Sequence, residues 1–185
     1  MRSHVAKTVS ACFAVLGQIR SVRRSLPRSV LQSLMLSLVL SRLDYGNATL
    51  AGIPSHLLQQ LQSVTNSAVR LVFSSSRYDH ITPLLHQLHW LRALERIEFK
   101  LAVLVYKCLH GPAPSYLAYE LECTADFGSR RRLGSSSSLT LNVWRSRLST
   151  ISDRAFPVAA ARTWNSLPQH VTSRLHPLCL FSGVA

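Results

Sequence analysis

Few residues of this chain have the types and spacings that chemistry needs. Asp44 sits in "LSRLDYGNATLAGIP", where a mostly apolar run, Val30 to Leu40, ends in Arg42, Asp44 and Tyr45 just before Gly46. A carboxylate there could be catalytic, part of a structural seam, or part of a binding surface. Two-metal phosphoryl chemistry needs carboxylates close enough to share ions, and the sequence holds no Asp-Asp pair. Glu95 and Glu98 stand one helical turn apart, but among Arg92, Arg96 and Lys100. Surface ion pairing explains those two acids better than catalysis. His80, His86 and His89 form a loose group with no cysteine or acid at a convincing ligand spacing, which favours capping and packing over a metal site. Ser136 lies in a serine tract without a neighbouring base, and neither G-x-S-x-G nor the glycine-lysine order of a phosphate loop occurs. No catalytic residue, metal or cofactor is expected.

The basic residues point elsewhere. Lys and Arg number 21 against 8 Asp and Glu, a net charge of +13. Such an excess favours polyanionic partners. Arg92, Arg96 and Lys100 make an i, i+4 stripe, and Arg130, Arg131 and Arg132 form a run. A solvated face and a solubilising loop would explain each cluster alone. The net charge favours phosphate contacts, so these six residues are the expected nucleic-acid-binding set, for RNA, DNA or hybrid duplex. Cys12, Cys108, Cys123 and Cys179 lie far apart and match no zinc spacing. They read as free thiols of a reducing, intracellular compartment, cytoplasm or nucleus. The longest apolar run falls short of the roughly 20 residues that span a bilayer, and the N-terminus lacks a signal-peptide core. No membrane partner is expected.

The elements that must position these residues follow from periodicity. Val5 to Arg24 reads as a helix with Val9, Phe13, Leu16 and Ile19 or Arg20 on one face. Arg28 to about Thr49 reads as a second, apolar nearly all round and therefore the bundle centre. Its Ser33, Ser37 and Ser41 would let another helix approach closely. Ser55 is placed to cap a third helix with Leu57, Leu61, Val64, Ala68 and Leu71 inward and Gln59, Gln62, Asn66 and Arg70 outward. Asp79 is placed to cap a short turn, "HITPLLHQL". Leu91 to Leu109 is the fourth helix, with Leu94, Ile97, Leu101, Leu104 and Cys108 inward, ended by "HGPAPSYL". "SLTLNV" alternates Leu139, Leu141 and Val143 as a strand would. "SDRAFPVAAARTWNSLP" reads as a helix with Phe156, Ala160, Trp164 and Leu167 on one side. The expected fold is mainly α: a helical bundle (1–121), a basic Gly/Ser linker (122–138), a strand-plus-helix appendage (139–168) and a divergent tail (169–185).

Several blocks also carry a resemblance, in order along the chain: "LVLSRLDYGNATLAGIP", "LQSVTNSAVRLV", "DHITPLLHQLHWLRALERIEFKLAVLVYKCLHGPAPSYL" and "RLSTISDRAFPVAAARTWNSLP". Together they resemble the region that follows the polymerase core in reverse transcriptases of LINE-type non-LTR retrotransposons, the Jockey-like group in particular. The resemblance runs from about Val5 to Pro168. The chain departs from the family's pattern at Gly46, where Cys is usual, at Arg92, where Pro is usual, and at Ser152, where Gly is usual. Its ending, "QHVTSRLHPLCLFSGVA", lacks the family's phenylalanine- and lysine-rich close, as in a decayed or spliced copy. The resemblance begins downstream of the aspartate-bearing palm. It implies a thumb-like, non-catalytic C-terminal fragment of an RNA-directed DNA polymerase that supports the template–primer duplex, with an intact reverse transcriptase as a further candidate partner. In that context Asp44 is expected to cap or salt-bridge near the turn, and Tyr45 to pack between helices. The alternatives are a helical protein-interaction module and an unselected retrotransposon relic.

Overall fold

The computed structural model describes residues 1–121, 140–143, 154–168 and 171–172. These residues are mainly α-helical, and they belong to two compact units, Met1–Ile97 and Glu98–Ala185. The first unit holds α1 (Arg2–Val22), a 3-10 turn (Arg23–Ser25), α2 (Arg28–Leu34), a π-helical segment (Met35–Leu40), α3 (Ser41–Asp44), a second 3-10 turn (Asn47–Leu50), α4 (Ser55–Phe73) and α5 (Ile81–Leu88). Helix α6 (Ala93–Leu109) starts in the first unit and runs into the second, which also holds α7 (Ser115–Ala118) and α8 (Phe156–Asn165).

Helix α1 buries Val5, Cys12, Leu16 and Ile19, a single stripe at helical spacing, and packs along α4 and the π segment. The stripe passes through Cys12 rather than Phe13, which is exposed. The Cys12 thiol lies 3.9 Å from the Val39 carbonyl oxygen. The start of α2 is held to the end of α4 by the Arg28 guanidinium, 4.0 Å above the Phe73 ring.

The second expected helix is interrupted by the π segment. The Ser41 N–H donates to the Leu36 carbonyl, five residues back, which widens the turn and re-registers the faces. Met35, Val39 and Leu40 are buried, whereas Val30, Leu36 and Leu38 are exposed. The expectation of an all-round buried central helix is therefore corrected: one side faces outward. The serines form no packing seam either. Ser33, Ser37 and Ser41 are exposed, and their hydroxyls donate to carbonyls of their own helix, those of Ser29, Leu34 and Ser37. The helix ends at Asp44, not near Thr49, because Gly46 takes the left-handed conformation at φ 66°. The Gly46 carbonyl then accepts from the Thr49 N–H at 3.0 Å and the Thr49 hydroxyl at 2.7 Å, which starts the 3-10 turn.

Helix α4 buries Leu57, Leu61, Val64, Thr65, Ala68, Val69 and Val72. Ser55 is its first residue rather than its cap; Pro54 holds the cap position without a side-chain hydrogen bond. Helices α4 and α5 end alike. Ser74 (φ 59°) and His89 (φ 55°) take left-handed conformations. The next N–H in each case reaches back five residues, Ser75 to the Arg70 carbonyl at 3.2 Å and Trp90 to the Leu85 carbonyl at 3.0 Å. These are the six-to-one closures of Schellman turns, with the buried Trp90 as the apolar contact after α5. Asp79 does not cap α5. Its carboxylate accepts the Ser76 N–H at 2.7 Å and closes the preceding turn.

In the second unit Val105, Leu141, Ala160, Ala161 and Trp164 form a buried cluster, edged by Leu109, Leu121, Val143, Phe156 and Leu167. The alternation of "SLTLNV" sends Leu141 inward as expected, but no strand occurs among the described residues. The Asn165 side chain holds both backbone groups of Leu141: its oxygen accepts the Leu141 N–H and its amide donates to the Leu141 carbonyl, each at 2.9 Å. An amide side chain supplies the pairing that a neighbouring strand would give. Leu139, the expected linker at 122–138 and the tail from 173 onward lie outside the described residues.

Candidate nucleic-acid interface

The start of α6 is where the expected binding stripe and the strongest polar seam coincide. Its first backbone donors need partners that the helix cannot supply. The Arg92 N–H donates to the Glu95 carboxylate at 2.8 Å, one half of a capping box. The Ala93 N–H donates to the Gln62 side-chain oxygen at 2.8 Å, and the Gln62 amide in turn donates to the Asn66 side-chain oxygen at 2.8 Å. Gln62, read from the sequence as outward-facing, thus ties α4 to α6, and Asn66 holds its amide in place. Glu95 serves as a cap rather than as the expected ion-pair partner of the arginines.

Arg96 finds its acid 52 residues away in the sequence. Its Nε donates to Asp44 Oδ1 at 3.0 Å and its Nη2 to Oδ2 at 2.6 Å, a two-point pairing. Both side chains are largely shielded, 16% exposed for Arg96 and 29% for Asp44. Asp44 is therefore the salt-bridging partner in a seam, one of the two structural roles expected of it. Tyr45 does not pack between helices; it is 78% exposed.

Three of the six expected phosphate contacts, Arg92, Arg96 and Lys100, are among the described residues. Arg96 is occupied by Asp44 and is withdrawn as a free phosphate contact. Arg92 is exposed, with its Nη2 donating to the Thr82 hydroxyl at 3.0 Å. It fronts one pocket of ≈ 380 Å³ with Gln62, Ile81 and Leu85, and another of ≈ 500 Å³ with His86, His89 and Glu95. Lys100 is exposed on α6. Arg130, Arg131 and Arg132 lie outside the described residues. Spacing alone could not separate Arg96 from its neighbours, because its partner is distant in the chain.

Comparison with protein-family models, curated proteins and solved structures gives no match. Among the described residues no group of three or more His, Cys, Asp or Glu side chains could hold a metal ion. Cys12 and Cys108 are free and buried, and burial raises both thiols above their ordinary pKa, partly offset at Cys12 by Arg42. No helix of the described residues is long and apolar enough to cross a membrane. One surface feature was missed by periodicity: on α6, Phe99 and Tyr106 face outward beside Lys100 and Lys107. The legible signal was the repeat of an aromatic-lysine pair seven residues apart, "FK" and "YK".

Proposed function

We propose that this chain is the post-palm, C-terminal helical part of a LINE-type reverse transcriptase, a non-catalytic segment that supports template–primer nucleic acid through phosphate contacts. The observation that carries this reading is the Asp44–Arg96 pair. It commits the acid of "SRLDYGN" to structure, and it joins the first of the resembling blocks to the third. The Gln62 contact with Ala93 joins the second block to the third in the same way. Blocks that share a resemblance thus also share polar contacts, as pieces of one inherited fold would. The charge of +13 supplies the attraction to phosphate.

The purified chain should not extend a primer on an RNA template with magnesium or manganese. Extension that disappears in Asp44→Ala would overturn the reading. Affinity for duplex should fall steeply with salt, and replacing Arg130, Arg131 and Arg132 with Gln should flatten the log–log slope by up to about three units. The same number of Gln replacements elsewhere giving the same flattening would count against those contacts. A second reading, a helical protein-interaction module, is favoured by the aliphatic side chains of Val30, Leu36 and Leu38 exposed on the first unit.

A further inference from the structure

The second unit exposes an unusual set of side chains. Every exposed large hydrophobic among its described residues is aromatic: Phe99, Tyr106, Tyr116 and Tyr119. The first unit exposes mostly aliphatic ones, such as Val22, Val30, Leu36 and Leu38. Aromatic rings that remain open to water while Leu101, Val105 and Cys108 of the same helix are buried are not leftovers of a poorly filled core.

Their arrangement along α6 is regular. Phe99 is 56% exposed and Tyr106 36% exposed. Seven residues of α-helix separate them by about 10.5 Å along the axis and about 20° around it, so they share one stripe. Lys100 and Lys107 repeat the same interval one position on and lie along one edge of that stripe, both exposed. Glu98, exposed as well, lies on the opposite edge. The Tyr106 ring is backed by His110, their centroids 4.0 Å apart with planes inclined at 39°. The face therefore carries two rings with a lysine beside each on one side, and Glu98 on the other side of Phe99 only, since the matching position beside Tyr106 is the buried Val105.

We propose that this face of α6 is a stacking platform for an unpaired nucleic-acid strand. Bases lie on Phe99 and Tyr106, and the phosphates follow the Lys100–Lys107 edge. The proposal rests on the nucleic-acid reading above and deepens it by naming the form of strand. Two features select this occupant. Aromatic rings stack on the faces of bases, which are covered in a duplex and open in a single strand. The lysines lie on one edge only, so a backbone running along the helix is drawn to that side and its bases turn toward the rings; Glu98 repels it from the other. A protein partner would be expected to meet aliphatic side chains as well, and among the described residues those are exposed on the first unit.

The test uses the full chain, a labelled mixed-sequence single strand of about a dozen nucleotides, and the same sequence as a duplex, with affinity read by fluorescence anisotropy at fixed salt. Phe99→Ala and Tyr106→Ala should each weaken single-strand binding about fivefold to a hundredfold. Duplex binding should stay within about twofold, since phosphate contacts there do not use the rings. Phe99→Tyr and Tyr106→Phe should retain single-strand affinity. Lys100→Gln with Lys107→Gln should lower the single-strand salt slope by about 1.4. Unchanged single-strand binding in the alanine variants, or equal loss for both strand forms, would overturn the platform. Loss of concentration-dependent self-association in the same variants, with single-strand binding intact, would identify the face as a protein contact and overturn it too. If duplex binding keeps its dependence on the arginine run while the α6 variants change nothing, only the platform fails. If neither strand form binds, the nucleic-acid reading fails with it.

Discussion

Asp44 owes its role to a partner that no local pattern reveals. The two-point contact with Arg96 closes a loop of 52 residues and is mostly screened from water, so its removal leaves a largely shielded guanidinium without its acid. Asp44→Ala is expected to cost about 1.5–3 kcal/mol, the range for hydrogen bonds to charged groups. A double-mutant cycle with Arg96→Ala should show a coupling of about 0.5–3 kcal/mol by denaturant unfolding. Strictly additive effects would mean that the pair contributes shape but no interaction. His89 gives a residue-scale expectation of the opposite sign. It ends α5 at φ 55°, in a conformation that disfavours side chains with a Cβ by about 1–2 kcal/mol. The Schellman bonds around it use only backbone, so His89→Gly keeps them and should stabilise the chain by about 1 kcal/mol, less the added entropy of the unfolded glycine. A midpoint that falls in urea at unchanged slope would show that the imidazole makes a contact worth more than the strain it sits in.

At the scale of elements, polar residues at regular intervals marked the inward face of α4, whereas Phe13 of α1 and Leu94 of α6, both expected inward, are exposed. Helix α4 carries Gln and Asn at regular intervals, and of the residues its periodicity sends inward Leu57, Leu61, Val64 and Ala68 are buried, while Leu71 is half-buried and Val72 takes the buried place beside it. Past Gln32 the run to Leu40 offers only serines as markers, so period 3.6 could not choose a face, and the π turn then shifted the register where the segment meets α1. The consequence is a contrast between neighbours. Met35 is fully buried, and Met35→Ala should cost about 2–5 kcal/mol. Leu38 is 39% exposed, and Leu38→Ala should cost well under that, about 1 kcal/mol or less. Equal losses in thermal or chemical unfolding would mean that Leu38 is covered in solution, by a second copy or by another part of the chain. The strand signal at "SLTLNV" leaves a single bridge residue, Leu141, among the described residues, for a related reason. Alternation reports which side chains are buried, and Leu141 is, but it does not say whether a strand or the Asn165 side chain takes up the backbone groups.

For the whole molecule, the mainly α class was readable from periodicity, because it does not depend on which distant residues meet. The candidate site was less readable, since one member of the arginine stripe turned out to be tied into the fold. What the net charge of +13 does to the folded chain can be separated from what a ligand does. Like charges held close in a compact body repel, so the free chain should melt higher as salt rises from very low values toward about 0.15 M, where the Debye length shrinks to about 8 Å. A nucleic acid that binds only the folded form adds stability of its own, about 2.7 kcal/mol at a concentration of about 100 Kd. That increment depends on phosphate contacts and must decay with salt, because counterions compete for the same phosphates. The melting curves with and without oligonucleotide should therefore start far apart at low salt and converge as salt increases, one rising while the other falls. Curves that stay parallel would mean binding without phosphate contacts, and curves that coincide at low salt would mean that the positive charge has no nucleic-acid partner.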